Sequence, residues 1–302
     1  MRRRSPAKRA ARRGTVREGG SPVENGAAGR HVHDLTFAVH VPDDLARCVV
    51  MLERSFTETV KVDGEDAEVW LKLPGAPRST PKRAKHLGTG FLVATRSAAF
   101  LVTAAHVARA MDREARLSFG TLRGRRVALR LSDLLSLRAS EVAWTYLRHA
   151  DVAAVCIPKP PVQLRRHFLP GHLLVADRAA PAATLELTAI GFPLGLTSEK
   201  HFAPLAKTSH AASQILRFCG EEIGDPGDFF LLDQPSMGGY SGAPLFVPAQ
   251  VQLTDAGQVT VVAPRCVGLI SRTISDETRG QFAAVVPSGA IRRAMAKARL
   301  RR

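Results

Sequence analysis

The chain has 302 residues, of which 45% are hydrophobic, 23% charged and 6% aromatic, enough for one large all-β domain or two medium ones around a real core. No fixed-period repeat and no apolar stretch approaching ~18 residues is present, which excludes a solenoid and a membrane-spanning helix. The net charge of +16 would suggest a nucleic-acid partner, but it sits at the ends: residues 1–30 carry nine Lys/Arg against Glu18 and Glu24, residues 291–302 carry six with no acid, and the 260 residues between hold only +3.

Residues 1–40 are rich in Arg, Gly and Ala without any hydrophobic period and are predicted to be a disordered basic tail. Such tails leave weak, salt-sensitive contact with nucleic acid or an anionic surface as a further role. The opening MRRRSPAKRAARRG has no apolar segment behind its basic run, so it does not read as a secretory signal and predicts a cytoplasmic protein. His31-Val32-His33-Asp34 lacks a third well-placed ligand, and no metal or other cofactor is expected.

From Val41 onward, short apolar runs separated by Gly, Pro, Asp or Ser predict strands at Cys48–Leu52, Ala67–Leu73, Gly90–Ala94, Phe100–Thr103, Arg126–Leu131 and Val152–Ile157. Further strands are predicted at Leu185–Ile190, Ile215–Cys219, Phe229–Leu232, Ala243–Val247, Val259–Val262, Cys266–Ser271 and Gln281–Val286. A short helix is expected after His106, and a terminal one over Gly289–Leu300 with Ser288 as its N-cap. Many short strands with few helices indicate an all-β, barrel-type architecture and exclude a parallel α/β fold. The Pro158-Lys159-Pro160-Pro161 stretch, running on to Pro170, marks an internal boundary between domains at 41–165 and 166–302. Cys48, Cys156, Cys219 and Cys266 form no C-x-x-C pair, and the absence of secretory features predicts reduced, mostly buried thiols.

Three segments carry candidate chemistry: Val102-Thr103-Ala104-Ala105-His106-Val107, His149-Ala150-Asp151-Val152 and Gly238-Gly239-Tyr240-Ser241-Gly242-Ala243-Pro244. A serine hydroxyl becomes a useful nucleophile when an imidazole takes its proton, and the imidazole needs a carboxylate to fix its tautomer. The glycines around Ser241 allow a sharp turn that aims the N–H groups of Gly239 and Ser241 at one developing oxyanion. Gly239-Tyr240-Ser241-Gly242-Ala243 is one residue from the G-x-S-x-G elbow of α/β-hydrolases, but that fold needs a histidine after the serine. The last histidine here is His210.

In the order His106, Asp151, Ser241, with separations of 45 and 90 residues, these motifs resemble the T-A-A-H, D-[VIL]-A and G-x-S-G-x-P signatures of the trypsin/chymotrypsin superfamily. The resemblance extends over about residues 41–300. It is strongest to bacterial trypsin-like and HtrA-like protease domains, through Ala189-Ile190-Gly191-Phe192-Pro193-Leu194-Gly195 and Ala284-Val285-Val286-Pro287-Ser288. It implies two six-stranded antiparallel β-barrels of the chymotrypsin type with a C-terminal helix, and no PDZ domain in this chain. It also implies a serine endopeptidase acting on protein or peptide substrates through an acyl-enzyme. Tyr240 stands where zymogen-type relatives carry an Asp, and Val107 where secreted members carry a disulfide cysteine.

The family pattern places the specificity pocket at Pro235, Ser236, Ser271, Arg272, Thr273 and Ala283. With no carboxylate at Pro235 to pair with Lys or Arg, cleavage after small or medium apolar residues is expected. His210 reads as a structural or surface histidine, although glutamate-preferring relatives can use a histidine from that barrel. Cys219 reads as a strand cysteine rather than a nucleophile. Two other functions stay open at this level: a catalytically idle, protease-shaped binding module, and a nucleic-acid-associated protein acting through its basic tails.

Overall fold

The structure is a computed structural model that describes residues 35–38, 43–62, 65–71, 80–135, 141–176, 179–197, 201–218, 227–253, 259–275 and 280–301. Two antiparallel sheets dominate it, one built before residue 171 and one after residue 185, and they form a chymotrypsin-like double β-barrel with a C-terminal helix.

The first sheet runs in the order β10 (Arg126–Arg130), β9 (Arg116–Gly120), β2 (Val49–Thr57), β7 (Arg83–Ala94), β8 (Ala99–Thr103), β12 (Ala150–Ile157) and β11 (Thr145–Leu147). A two-residue strand, β13 (Leu169–Pro170), adds parallel to the end of β7. All five residues of β8 are buried, as are the first five of β2 and the first six of β12. Strands covered on both faces read as continuous apolar runs rather than alternating ones. The second sheet runs β15 (Leu205–His210), β14 (Glu186–Gly191), β18 (Pro244–Val247), β21 (Arg265–Ser275), β22 (Gln281–Pro287), β17 (Gly227–Leu232) and β16 (Leu216–Phe218). Each sheet thus carries short strands beyond the six expected.

Three small pairings decorate the barrels: β3 (Thr59–Val62) with β4 (Glu65–Glu68), β5 (Trp70–Leu71) with β6 (Thr80–Pro81), and β1 (Leu35–Ala38) with β19 (Gln250–Leu253), itself paired to β20 (Val259–Val262). The β1 pairing corrects the reading of residues 1–40 as tail throughout: Leu-Thr-Phe-Ala satisfies its backbone against Gln250–Leu253. Residues 1–34, including His31, His33 and Asp34, lie outside the described residues.

Helices are few and short: α1 (Asp43–Ala46), α2 (Ala105–Arg109), α3 (Leu131–Leu135) and α4 (Ser288–Leu300). The helix after His106 stops early because the Asp112 carboxylate accepts the N–H groups of Glu114 and Ala115, turning the chain out of the helix. Ser288 is not the N-cap of α4. It is the first helical residue, and its hydroxyl donates instead to the Val175 carbonyl at 2.8 Å, while Pro287 occupies the cap position. The helix follows the second barrel in sequence, yet Ile291, Ala294, Met295 and Ala298 bury themselves in the same core as β8 and β12 of the first. That large core continues into Phe192, just after β14, and into Phe229 and Phe246 of the second sheet, and a smaller one fills the second barrel around Leu187, Phe230, Leu245 and Val285. Of the cysteines, Cys48 and Cys266 are buried, Cys156 is half-buried and all three are free thiols; Cys219 lies outside the described residues. Burial pushes the Cys266 thiol up to about 12, so it is chemically quiet.

Candidate active site

The buried run of β8 ends at Thr103, and Ala105 opens α2, so His106 leaves the barrel on the first turn of a helix with its ring 41% exposed. Asp151 is the second residue of β12, the strand hydrogen-bonded beside β8, and its side chain is 1% exposed. The two therefore meet at one end of neighbouring strands. Asp151 Oδ1 accepts the backbone N–H of His106 at 3.0 Å, and Oδ2 lies 2.8 Å from His106 Nδ1. An ionised carboxylate can only accept, so Nδ1 carries the proton and Nε2 is left to act as a base.

A third donor reaches Asp151 from the other barrel. Ser271 of β21 is fully buried and gives its hydroxyl to Asp151 Oδ2. Burial alone would raise the pKa of this carboxyl, but the hydrogen bond and charge of His106, with the Ser271 hydroxyl and the His106 N–H, bring it down to about 2. Arg272 adds a longer-range cation, its Nη2 at 3.7 Å from Oδ2 and its guanidinium above the Phe229 ring.

Ser241 lies in the turn before β18. Its Oγ donates to the Ser271 carbonyl at 2.8 Å rather than to His106, so Ser241 and Asp151 touch the same residue from two sides. The turn is shaped by two glycines in the left-handed region, Gly239 (φ 93°) and Gly242 (φ 89°). A Cβ on Gly239 would lie 2.4 Å from the Phe192 carbonyl oxygen, and one on Gly242 would lie 2.0 Å from that of Thr89. No other side chain fits either place. Neither the Gly239 nor the Ser241 N–H donates to an acceptor among the described residues, whereas the Tyr240 N–H closes onto Met237 O and the Gly242 N–H onto Ile270 O. Tyr240 fills the position of the zymogen-type Asp with a buried ring in the second core, its hydroxyl donating to Leu205 O at 3.2 Å. Packing thus holds the turn at this position. Val107 faces Gly88 rather than a cysteine, with so little room that a Cβ there would meet Val107 Cγ1 at 2.5 Å.

Sequence reasoning missed the residue that joins the halves. Thr89 of β7, fully buried, receives the Phe192 N–H on its hydroxyl at 3.0 Å and donates to the Gly239 carbonyl at 2.6 Å, while its own N–H goes to Ser241 O at 2.9 Å. The Thr103 hydroxyl, three residues before His106, donates to the Thr89 carbonyl.

Beside the turn is a narrow cavity inside the second barrel. Of the six expected pocket residues it is lined by Pro235, Ser236 and Ala283. Ser271 and Arg272 turn to Asp151 instead, and Thr273 donates its hydroxyl to Ser236 O at 3.0 Å, closing one side. The remaining walls include Ala189, Leu232 and Ile270, together with two polar residues the sequence reading passed over, Lys207 and Ser209 of β15. His210, next along β15, is outside the cavity and sits 3.4 Å from Asp233 at the surface. The cleft of about 750 Å³ between Glu53, Arg83, Arg116 and Arg130 lies on the first barrel and includes none of His106, Asp151 and Ser241. Among the described residues, no cluster of three or more His, Cys, Asp or Glu could hold a metal, and no helix is long and apolar enough to cross a membrane.

A family model described as a trypsin-like peptidase domain matches residues 88–253, more than half of the chain. No curated protein matches. Among solved structures, the chain is similar to the Rv3671c protease in an inactive form (17% identity, 84% of this chain and 90% of that one, TM-score 0.44). It is also similar to the HtrA-type protease AlgW with a decapeptide (16% identity, 84% and 65%, TM-score 0.48) and to the MamO protease domain of Magnetospirillum magneticum (14% identity, 83% and 96%, TM-score 0.44).

Proposed function

The chain belongs to the trypsin-like peptidase domain family, and from that premise we propose that it is a serine endopeptidase with Ser241 as nucleophile, His106 as general base and Asp151 as its orienting carboxylate. The observation that carries the reading is the position of Asp151: it accepts two hydrogen bonds from His106 in the first barrel and one from Ser271 in the second, and Ser271 in turn holds Ser241. A buried carboxylate so arranged fixes the Nδ1–H tautomer and stabilises the imidazolium formed when Nε2 takes a proton.

In the proposed cycle, the Ser241 hydroxyl leaves the Ser271 carbonyl, turns to His106 Nε2 and attacks the scissile carbonyl carbon. The Oγ–C bond forms as the proton passes to His106, and the oxyanion is received by the N–H groups of Gly239 and Ser241. His106 then protonates the leaving amine as the C–N bond breaks, and water repeats the sequence to release the acid. Each oxyanion donor is worth about 3 kcal/mol of transition-state stabilisation. Ala189, Leu232, Ile270 and Ala283 give the cavity an apolar side, and no carboxylate stands at Pro235 to receive Lys or Arg.

The test is chemical labelling. The wild type is expected to react with a fluorophosphonate probe and to cleave peptides, and Ser241→Ala to do neither. A wild type that fails to label would favour the idle binding module, a reading to which the Ser241–Ser271 hydrogen bond gives some footing. Labelling retained in Ser241→Ala would remove this residue from the role of nucleophile.

A further inference from the structure

The cavity beside the Ser241 turn mixes apolar walls with polar ones, Lys207 and Ser209 among them. Lys207 stands opposite Ala189 in the β14–β15 register, and residues directly opposite in an antiparallel pair project to the same face. Ala189 belongs to the interior cluster of the second barrel, so the Lys207 stem runs inward with it. Its ammonium donates to the carbonyl of Pro235, at the base of the cavity. No carboxylate lies within 4.0 Å of it among the described residues.

The nearest candidate in sequence, Asp233, is committed elsewhere. Its Oδ1 accepts the Ser209 hydroxyl at 2.6 Å and the His210 N–H at 2.9 Å, and its Oδ2 faces His210 Nδ1. An ammonium has three hydrogens to give and Pro235 takes one. Lys207 is half-buried, and its remaining ammonium hydrogens are available to an anion brought to the same place.

We infer that Lys207 makes this the pocket for an acidic side chain, so that the enzyme cleaves after Glu or Asp. The inference rests on the serine-peptidase reading above and departs from the apolar preference expected from the sequence. The two are close in shape: a short apolar stem lies along Ala189, Ile270 and Ala283, and a carboxylate replaces the neutral carbonyl as the partner of Lys207. Charge-assisted hydrogen bonds of this kind are worth about 10- to 100-fold in selectivity.

The experiment uses the full-length protein and a set of fluorogenic peptides that differ only in the residue before the scissile bond. The wild type is expected to show kcat/KM for Glu or Asp about 10- to 100-fold above Ala, Val or Leu. Lys207→Met should erase that margin, Lys207→Arg should keep it, and Lys207→Glu should move preference towards Lys and Arg. Fluorophosphonate labelling of each variant reports whether Ser241 is still reactive, and the wild-type profile is decisive by itself if a variant fails to fold. A labelled, active wild type that prefers apolar residues overturns the acidic pocket alone. So does an equal fall on all peptides in a labelled Lys207→Met, which would reduce Lys207 to a strut for Pro235. A wild type that neither labels nor cleaves overturns the peptidase reading and this inference with it.

Discussion

At Thr89 one hydroxyl serves two backbone groups of the opposite barrel, accepting from Phe192 and donating to Gly239. Thr89→Val keeps the shape and removes the hydroxyl, leaving a buried N–H and a buried carbonyl without partners at about 1–3 kcal/mol each. Because the orphaned carbonyl belongs to Gly239, kcat is expected to fall about 100-fold with KM nearly unchanged, and Thr89→Ser is expected to restore it. Full kcat in a Thr89→Val protein with lowered thermal stability would make the residue simple glue between barrels. His106, Asp151 and Ser241 could be singled out from sequence because each stands in a short motif and their order excludes rival folds. Thr89 could not. A threonine on a strand is commonplace, and only the fold brings it to Gly239 from 150 residues away. The family spacing places Ser271 on the pocket wall, and nothing in the sequence says that its hydroxyl also turns to Asp151.

Two strands that the apolar pattern missed, β9 and β15, carry buried or half-buried polar residues. In β9, Arg-Leu-Ser-Phe-Gly, the fully buried Ser118 interrupts the apolar run, and the Arg126 side chain donates to its hydroxyl from Nε at 3.1 Å and Nη2 at 2.9 Å. In β15 the inward residues are Lys207 and Ser209, so the strand carries no apolar period and can serve a pocket for the same reason. Elements with mainly apolar interiors, such as β8, β12 and β22, are legible from sequence alone to within two residues. The terminal helix was legible too, but not its destination. Its apolar stripe is anchored on the first barrel, and Arg292 and Lys297 donate to the carbonyls of Leu174 and Tyr146. Ile291 is fully buried in that contact, so Ile291→Ala should cost about 2–5 kcal/mol in urea unfolding. A loss below about 1 kcal/mol would show that the helix lies on the barrel without supporting it.

On the scale of the whole molecule, Asp151 is a charge held between two barrels, and its ionisation is coupled to how they fit. Its carboxyl is at about 2 in the fold, against 3.8 when unperturbed, so the folded state prefers it deprotonated. The resulting stability is fully present above the unfolded value and is lost as pH falls through about 2, a contribution on the order of 2 kcal/mol for so buried a group. The unfolding free energy is therefore expected to decline between about pH 4 and pH 2, with part of the decline belonging to this residue. Asp151→Asn keeps the side-chain volume and removes the titration, so its urea midpoint should depend less steeply on pH across that interval than the wild type's. The variant should also lose about four orders of magnitude in kcat at neutral pH, because an amide does not hold His106 in the tautomer that leaves Nε2 basic. The two readouts separate the roles. Parallel acid profiles for wild type and variant would mean that other carboxylates govern acid unfolding. Undiminished kcat in the variant would mean that Asp151 stabilises the joint between the barrels and does not orient the histidine.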